Sequence, residues 1–89
     1  MTRRDLQIRN RLGLHARAAA RFVHTAGRFH SRVTAGREGQ VADGKSILGI
    51  LLLSASQGTT IEVTADGPDE HEAIEALSAL VDGGFGEAP

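Results

Sequence analysis

Asp43-Gly44-Lys45-Ser46-Ile47-Leu48-Gly49-Ile50-Leu51-Leu52-Leu53-Ser54-Ala55-Ser56-Gln57-Gly58 is the stretch on which the fold turns. Its apolar run, Ile47 to Leu53, suits a buried strand or a helix, and length alone does not separate them. The ends and the composition favour a short helix. Asp43-Gly44 is a turn signal, and Ser46 stands where a hydroxyl can accept an orphan amide hydrogen of a first helical turn. The run is leucine-rich rather than β-branched, and Ser54 to Gly58 stops it. Ile50 and Leu53 fit the core. Not every side of so short a helix can face it, so Ile47, Leu48 and Leu51 are candidates for exposure.

Downstream, Ile61, Val63 and Ala65 alternate with Thr60, Glu62 and Thr64, which predicts a half-buried strand closed by Gly67-Pro68. Asp69 and Glu72 have capping-box spacing, and Ala73, Ile74, Leu77, Leu80 and Val81 mark the buried side of a last helix before Gly83-Gly84. On the other side, Val33 and Ala35 alternate with Arg32 and Thr34. Gly36 to Gly39 make a turn and Val41 follows, so this segment reads as a hairpin. From Ala16, an apolar stripe of Ala19, Phe22, Val23 and Ala26 predicts an amphipathic helix stopped by Gly27. Leu6 and Ile8 alternate with Gln7 and Arg9 in a first strand over about residues 5–9, ended by Asn10-Arg11-Leu12-Gly13. The order is β-α-β-β-α-β-α. Alternating strands leave one sheet face wet, so the expected fold is α/β (α+β): an open-faced sandwich in which three helices cover one face of a four-stranded antiparallel sheet.

The chain has 89 residues, 40% of them hydrophobic. That supports one domain over 1–89 and leaves little depth for an enclosed active site. It has no cysteine, which excludes disulfides, thiolate metal sites and cysteine nucleophiles. No apolar run approaches the roughly 20 residues of a membrane span. The N-terminal arginines have no apolar segment behind them, so a cytoplasmic protein is expected, without membrane insertion. Nine arginines and one acid fall in residues 1–37, whereas one lysine and ten acids fall in 38–89. Interleaving the two halves in one sheet would blur that asymmetry into a mixed surface. A nucleic-acid footprint is a poor fit, because the only aromatic residues are three phenylalanines and the later acids break a consistent positive field.

The chemistry concentrates at Gly13-Leu14-His15-Ala16-Arg17, where a loop becomes the first helix. His15 is expected at or beside the N-cap, facing solvent. The amides of Ala16 and Arg17 there offer free N–H groups and partial positive charge, a site suited to a phosphate. The same field disfavours an imidazolium and leaves a ring lone pair for attack on phosphorus. Arg17 adds a planar, permanently charged fork. Neither a glycine-rich nucleotide loop nor a metal-binding carboxylate cluster accompanies them, so no cofactor or metal is implied and no turnover by the chain alone is expected. His24, His30 and His71 lack metal-ligand spacing.

Asn10 to Ala20 together with Gly44-Lys45-Ser46-Ile47-Leu48-Gly49 resembles the HPr family, the histidine phosphocarriers of bacterial phosphotransferase systems. The resemblance spans nearly the whole chain, with both motifs in register. It implies that His15 forms a pros-phosphohistidine, accepting a phosphoryl group from a phosphoenolpyruvate-dependent enzyme I and passing it to an enzyme II A-type domain. Arg17 would stabilise the phosphate. It also implies an apolar docking patch of Ile47, Leu48 and Leu51 beside Ala20, and Arg17, Arg21 and Lys45 are candidates for its charged rim. In relatives with an HPr kinase/phosphorylase the equivalent of Ser46 is phosphorylated, which would add a switch to its capping role. Ala18 departs from the commonest family pattern, which has proline there. With Gly84-Phe85-Gly86-Glu87 it is similar to the nitrogen-related branch, so sugar-uptake and nitrogen-related roles both stay open. The competing reading is a regulatory binding module whose His15-modified and Ser46-modified forms select different partners. A monomer is expected in either case.

Overall fold

The computed structural model describes residues 1–87; Ala88 and Pro89, the end of the domain expected over 1–89, lie outside the described residues. The elements are β1 (Thr2–Gln7), α1 (Ala16–Ala26), β2 (Arg32–Arg37), β3 (Gln40–Asp43), α2 (Ile47–Leu52), β4 (Thr60–Asp66), α3 (Glu70–Asp82) and a 3₁₀ turn at Gly84–Gly86. The strands form one antiparallel sheet in the order β1-β4-β2-β3. The expected open-faced arrangement is therefore observed.

Burial follows the sequence alternation. Leu6 and Ile8, Val33 and Ala35, and Ile61, Val63 and Ala65 point into the core, where they meet Ala18, Ala19, Phe22 and Ala26 of α1, Ile50 of α2, and Ala73, Ile74, Leu77 and Val81 of α3. Helix α3 lies on β1 and β4, α2 lies beside β3, and α1 packs against both other helices. Among the described residues no helix is long and apolar enough to cross a membrane. The antiparallel β1–β4 pairing brings the basic first half onto the acidic second half. Arg3 faces Glu62 at 3.9 Å, Arg4 reaches Glu75 at 2.9 Å and Arg9 approaches Asp82 at 3.9 Å. The result is the mixed surface that interleaving predicted.

Several boundaries differ from expectation for physical reasons. β1 starts at Thr2 rather than residue 5, because Arg4 occupies an inward-facing register position at the sheet edge and reaches α3, donating to Ser78 Oγ at 2.9 Å. Beyond Gln7 the backbone of Ile8 is still held, its N–H on Thr59 O and its carbonyl on Gly58 N, both at 2.8 Å. The hairpin turn is only Glu38-Gly39, so both strands are longer than a Gly36–Gly39 turn would allow. In α1 the wholly buried positions include Ala18, whereas Val23 is only half-buried.

The start of α3 is the clearest correction. Asp69 is its N-cap residue but makes no side-chain cap bond. Its carboxylate crosses instead to the α1–β2 loop, accepting from His30 N at 2.8 Å, from Ser31 N at 2.9 Å and from the Ser31 hydroxyl. Glu70, the first helical residue, likewise turns away from the helix end, accepting from Gly67 N at 3.2 Å and from the Thr2 hydroxyl. The Ser31 hydroxyl and the His30 amide lower Asp69 to about 2, and the Thr2 hydroxyl and the Gly67 amide lower Glu70 to about 2.

Carboxylates depressed in the folded state stabilise it fully above their unfolded values and lose that contribution as pH falls through their folded ones. Unfolding midpoints measured against pH are therefore expected to fall between about pH 4.5 and 2. Asp69→Asn should lower stability at neutral pH and flatten that acid limb; an acid limb of unchanged slope would remove Asp69 from the account.

Candidate functional site

The loop that delivers His15 is fixed by backbone contacts. Gly13 N donates to Asn10 O at 3.1 Å, Leu14 N to Ala55 O at 2.9 Å and His15 N to Gly13 O at 2.9 Å. Gly13 has φ +69°, and a Cβ there would lie 2.5 Å from Ala55 O, so both conformation and space require glycine. Leu14 is buried beneath the loop. His15 then emerges with extended backbone as the N-cap of α1. Its Nδ1 accepts the N–H of Arg17 over a long 3.3 Å, the task that a serine or aspartate oxygen performs at most helix starts. Ala16 and Arg17, whose amides form this tip, are exposed at the surface. Among the described residues the Arg17 guanidinium makes no ion pair, while the His15 side chain is 29% exposed. Ala18 lies wholly buried in the first turn, and the helix forms there without a proline.

The other face of the imidazole is occupied by a residue that sequence reasoning did not place in the site. Glu87 Oε2 stands 2.7 Å from His15 Nε2. Its second oxygen, Oε1, accepts from Asn10 Nδ2 at 3.0 Å, and the same amide donates to Gly13 O at 2.8 Å. Asn10 is buried, and its Oδ1 has no partner among the described residues. Burial of the Glu87 carboxyl works against ionisation, but hydrogen bonds from Asn10 and His15, with the nearby His15 ring and Arg21 guanidinium, outweigh it and hold Glu87 below its ordinary value. An ionised carboxylate only accepts, so the His15 Nε2–H donates to it. The expectation built on the helix tip alone therefore lacked an opposing charge. The helix tip meets the ring at Nδ1, and the Glu87 carboxylate meets it at Nε2.

Glu87 reaches the ring because the chain bends sharply after α3. Gly84, Phe85 and Gly86 have φ of +66°, +58° and +74°. Phe85 is a left-handed non-glycine residue, a conformation costing roughly 1–3 kcal/mol. It is held there by burial of its ring in the core and by Arg21, which donates to its carbonyl. Arg21, expected as part of a charged docking rim, thus anchors the tail.

Around α2, Ser46 Oγ accepts from Gly49 N at 3.1 Å, the N-cap role the sequence predicts. Ile47 and Leu48 are exposed, Leu48 by 66%. Ile50 and Leu53 are core residues, as expected. Leu51 differs: it is half-buried and packs on the core, while Leu52 is the exposed residue, 65% open. Leu52 lines a groove between α2 and β3 with Val41 and Ala42. Ala20 is half-buried on α1, and the exposed Lys45 donates from Nζ to Phe29 O at 2.8 Å. The described residues hold no cluster of three metal-ligating side chains.

The sequence and the fold match a known family. The sequence model of PTS-HPr, described as the PTS HPr component phosphorylation site, matches residues 2–82. The chain belongs to the HPr family. It is 49% identical to the phosphocarrier protein HPr of Cupriavidus necator over 87 residues, and 48% identical over 87 residues to that of Xylella fastidiosa; in both cases 98% of each chain is covered. The crystal structure of HPr-C-His from Thermoanaerobacter tengcongensis superimposes with a TM-score of 0.96 at 43% identity, covering all of both chains. Glu87 lies beyond the residues that the HPr model matches.

Because Ser46 Oγ accepts the Gly49 amide, Ser46→Ala is expected to cost about 1 kcal/mol. For a domain this small that lowers Tm by about 4–8 °C, read by thermal unfolding, and an unchanged Tm would deny the hydroxyl its capping role.

Proposed function

We propose that this chain is the phosphoryl relay of a phosphoenolpyruvate-dependent phosphotransferase system, accepting the group on His15 Nδ1 from enzyme I and passing it to an enzyme II A-type domain. It works as a monomer in the cytoplasm. The observation that supports this most directly is the ring's placement: Nδ1 accepts a backbone amide at the tip of α1, so its lone pair lies where free N–H groups and the helix field are concentrated. The lone pair attacks phosphorus, and the Arg17 amide, released from Nδ1, turns to a phosphoryl oxygen. The Ala16 amide and the Arg17 guanidinium complete the anion's coordination. No cofactor is needed. The phosphoryl group arrives and departs with partner proteins, and the chain is their shared substrate rather than a free-standing enzyme.

Ile47 and Leu48 form the apolar centre of the docking surface, with Ala20 and the aliphatic edge of Leu51 beside them and Arg17, Arg21 and Lys45 around it. The Ser46 hydroxyl acts as an acceptor in its cap, so its proton is not spent on that bond. Phosphorylation by an HPr kinase/phosphorylase would place a dianion beside this patch and repel acidic partners, the regulatory reading of the same surface. Acid treatment separates the two modifications, because phosphohistidine hydrolyses and phosphoserine survives.

The test is incubation with phosphoenolpyruvate and enzyme I, followed by intact mass. Wild type should gain one phosphate and His15→Ala none. Labelling of His15→Ala would overturn the reading. Arg17→Ala should slow transfer on the order of 10–100-fold, below the loss typical of an enclosed oxyanion donor because Arg17 is exposed. Leu48→Asp, exposed and so harmless to folding, should raise the KM of the chain as substrate roughly 30-fold, the equivalent of a hot spot of about 2 kcal/mol. Unchanged transfer kinetics would remove the patch.

A further inference from the structure

We propose that Glu87 is a positioning residue of the relay: by accepting the Nε2–H of His15 it keeps the lone pair on Nδ1 in the resting ring and balances the ring's positive charge once phosphorus is attached. This inference rests on the carrier reading above and adds a residue to it. Two bonds define the ring's state. Nδ1 accepts from Arg17 N at 3.3 Å and so carries no proton, and Nε2 lies 2.7 Å from a carboxylate oxygen and so carries one. Both contacts select the same tautomer, the one whose free pair is on the helix-tip side.

The carboxylate is itself built in. Its side chain is only 12% exposed, Asn10 holds its other oxygen, and the left-handed turn through Phe85, fixed by Arg21, aims it at the ring. Two donors, Asn10 Nδ2–H and His15 Nε2–H, converge on one side chain. A carboxylate supplies an acceptor to each. A glutamine supplies one acceptor and one donor, so it must oppose either Asn10 or the Nε2–H.

In loading, the Nδ1 pair forms the N–P bond while the bond from phosphorus to the donor's leaving atom breaks with its electrons. Nε2 keeps its proton, and the ring becomes a phosphorylated imidazolium. In unloading, the N–P pair returns to Nδ1 and the ring departs from phosphorus as neutral imidazole. Loss of the Nε2 proton would make the leaving group an imidazolate, a much poorer one. Glu87 opposes that loss across the ring from the phosphoryl group, the part that a buried aspartate plays behind a catalytic histidine.

The experiment compares the full chain with Glu87→Gln and Glu87→Asp. ¹⁵N spectra of the unphosphorylated His15 ring at neutral pH should show the Nε2–H tautomer in the wild type and a mixture in Glu87→Gln. Phosphoryl transfer from the loaded protein to an A-type domain should slow about 10–100-fold in Glu87→Gln, with Glu87→Asp restoring part of the rate and of the tautomer signature. Retained labelling of His15 with unchanged ring signals and transfer rate in Glu87→Gln would overturn the role of Glu87 alone. Labelling that survives His15→Ala would instead overturn the carrier reading on which it rests. A slowed rate with an unaltered ring signature would assign Glu87 to docking and also overturn the proposal.

Discussion

The first turn of an α-helix leaves amide hydrogens without intrahelical acceptors, and something at the N-cap must receive one of them. In this chain that something is an imidazole. The substitution of ring nitrogen for hydroxyl or carboxylate oxygen commits Nδ1 to being an acceptor, and a neutral ring then has its proton on Nε2. A partly covered N–H needs its own acceptor, and Glu87 provides one. From that single capping choice the surrounding architecture follows. Asn10 orients the carboxylate, Gly13 gives Asn10 a carbonyl to hold, and Arg21 fixes the turn that carries Glu87.

The sheet contributes rigidity at a distance from the chemistry. Because β4 lies between β1 and β2, the loop after β1 and the end of α3 are brought to the same edge of the molecule, although they are far apart in sequence. The Leu14 amide on Ala55 O also ties the histidine loop to the segment after α2. The helix that His15 caps is therefore braced from both flanks, by α2 and by α3. Such bracing suits the proposed relay, in which His15 presents one nitrogen to successive partners without rearranging its support.

Legibility in the sequence followed the range of the interactions. Helix α1 could be read because its stripe, its stop at Gly27 and its cap are all local. The hairpin, β4 and the Ser46 cap were legible for the same reason. The Asp69–Glu72 pair misled because the capping box presumes that a carboxylate stays near its own helix. A tertiary contact to Ser31 offered Asp69 more donors than its own N-terminus did. On α2, one and a half turns gave too little periodicity to fix rotation, so Leu51, a candidate for exposure, is half-buried against the core. Glu87 was not legible at all, since its contacts are to residues 72 and 77 positions away. The only local trace was Gly84-Phe85-Gly86, two glycines flanking an aromatic, which read as a resemblance to one branch of the family and not as a turn aiming a carboxylate.

The helix tip and Glu87 act at different nitrogens of the ring. The electropositive amides face Nδ1, and the carboxylate faces Nε2. For the proposed phosphorylated ring they reinforce one another, because that species is a zwitterion with the phosphoryl oxygens at the amide end and the positive N–H at the carboxylate end. A preorganised pair of opposite charges then stabilises a dipole that exists only after transfer, at little reorganisation cost. Too deep a well would trap the phosphate. The 29% exposure of the His15 side chain keeps solvent screening high enough to moderate the depth. A phosphoryl relay needs that compromise, since the group must be held between partners and then surrendered.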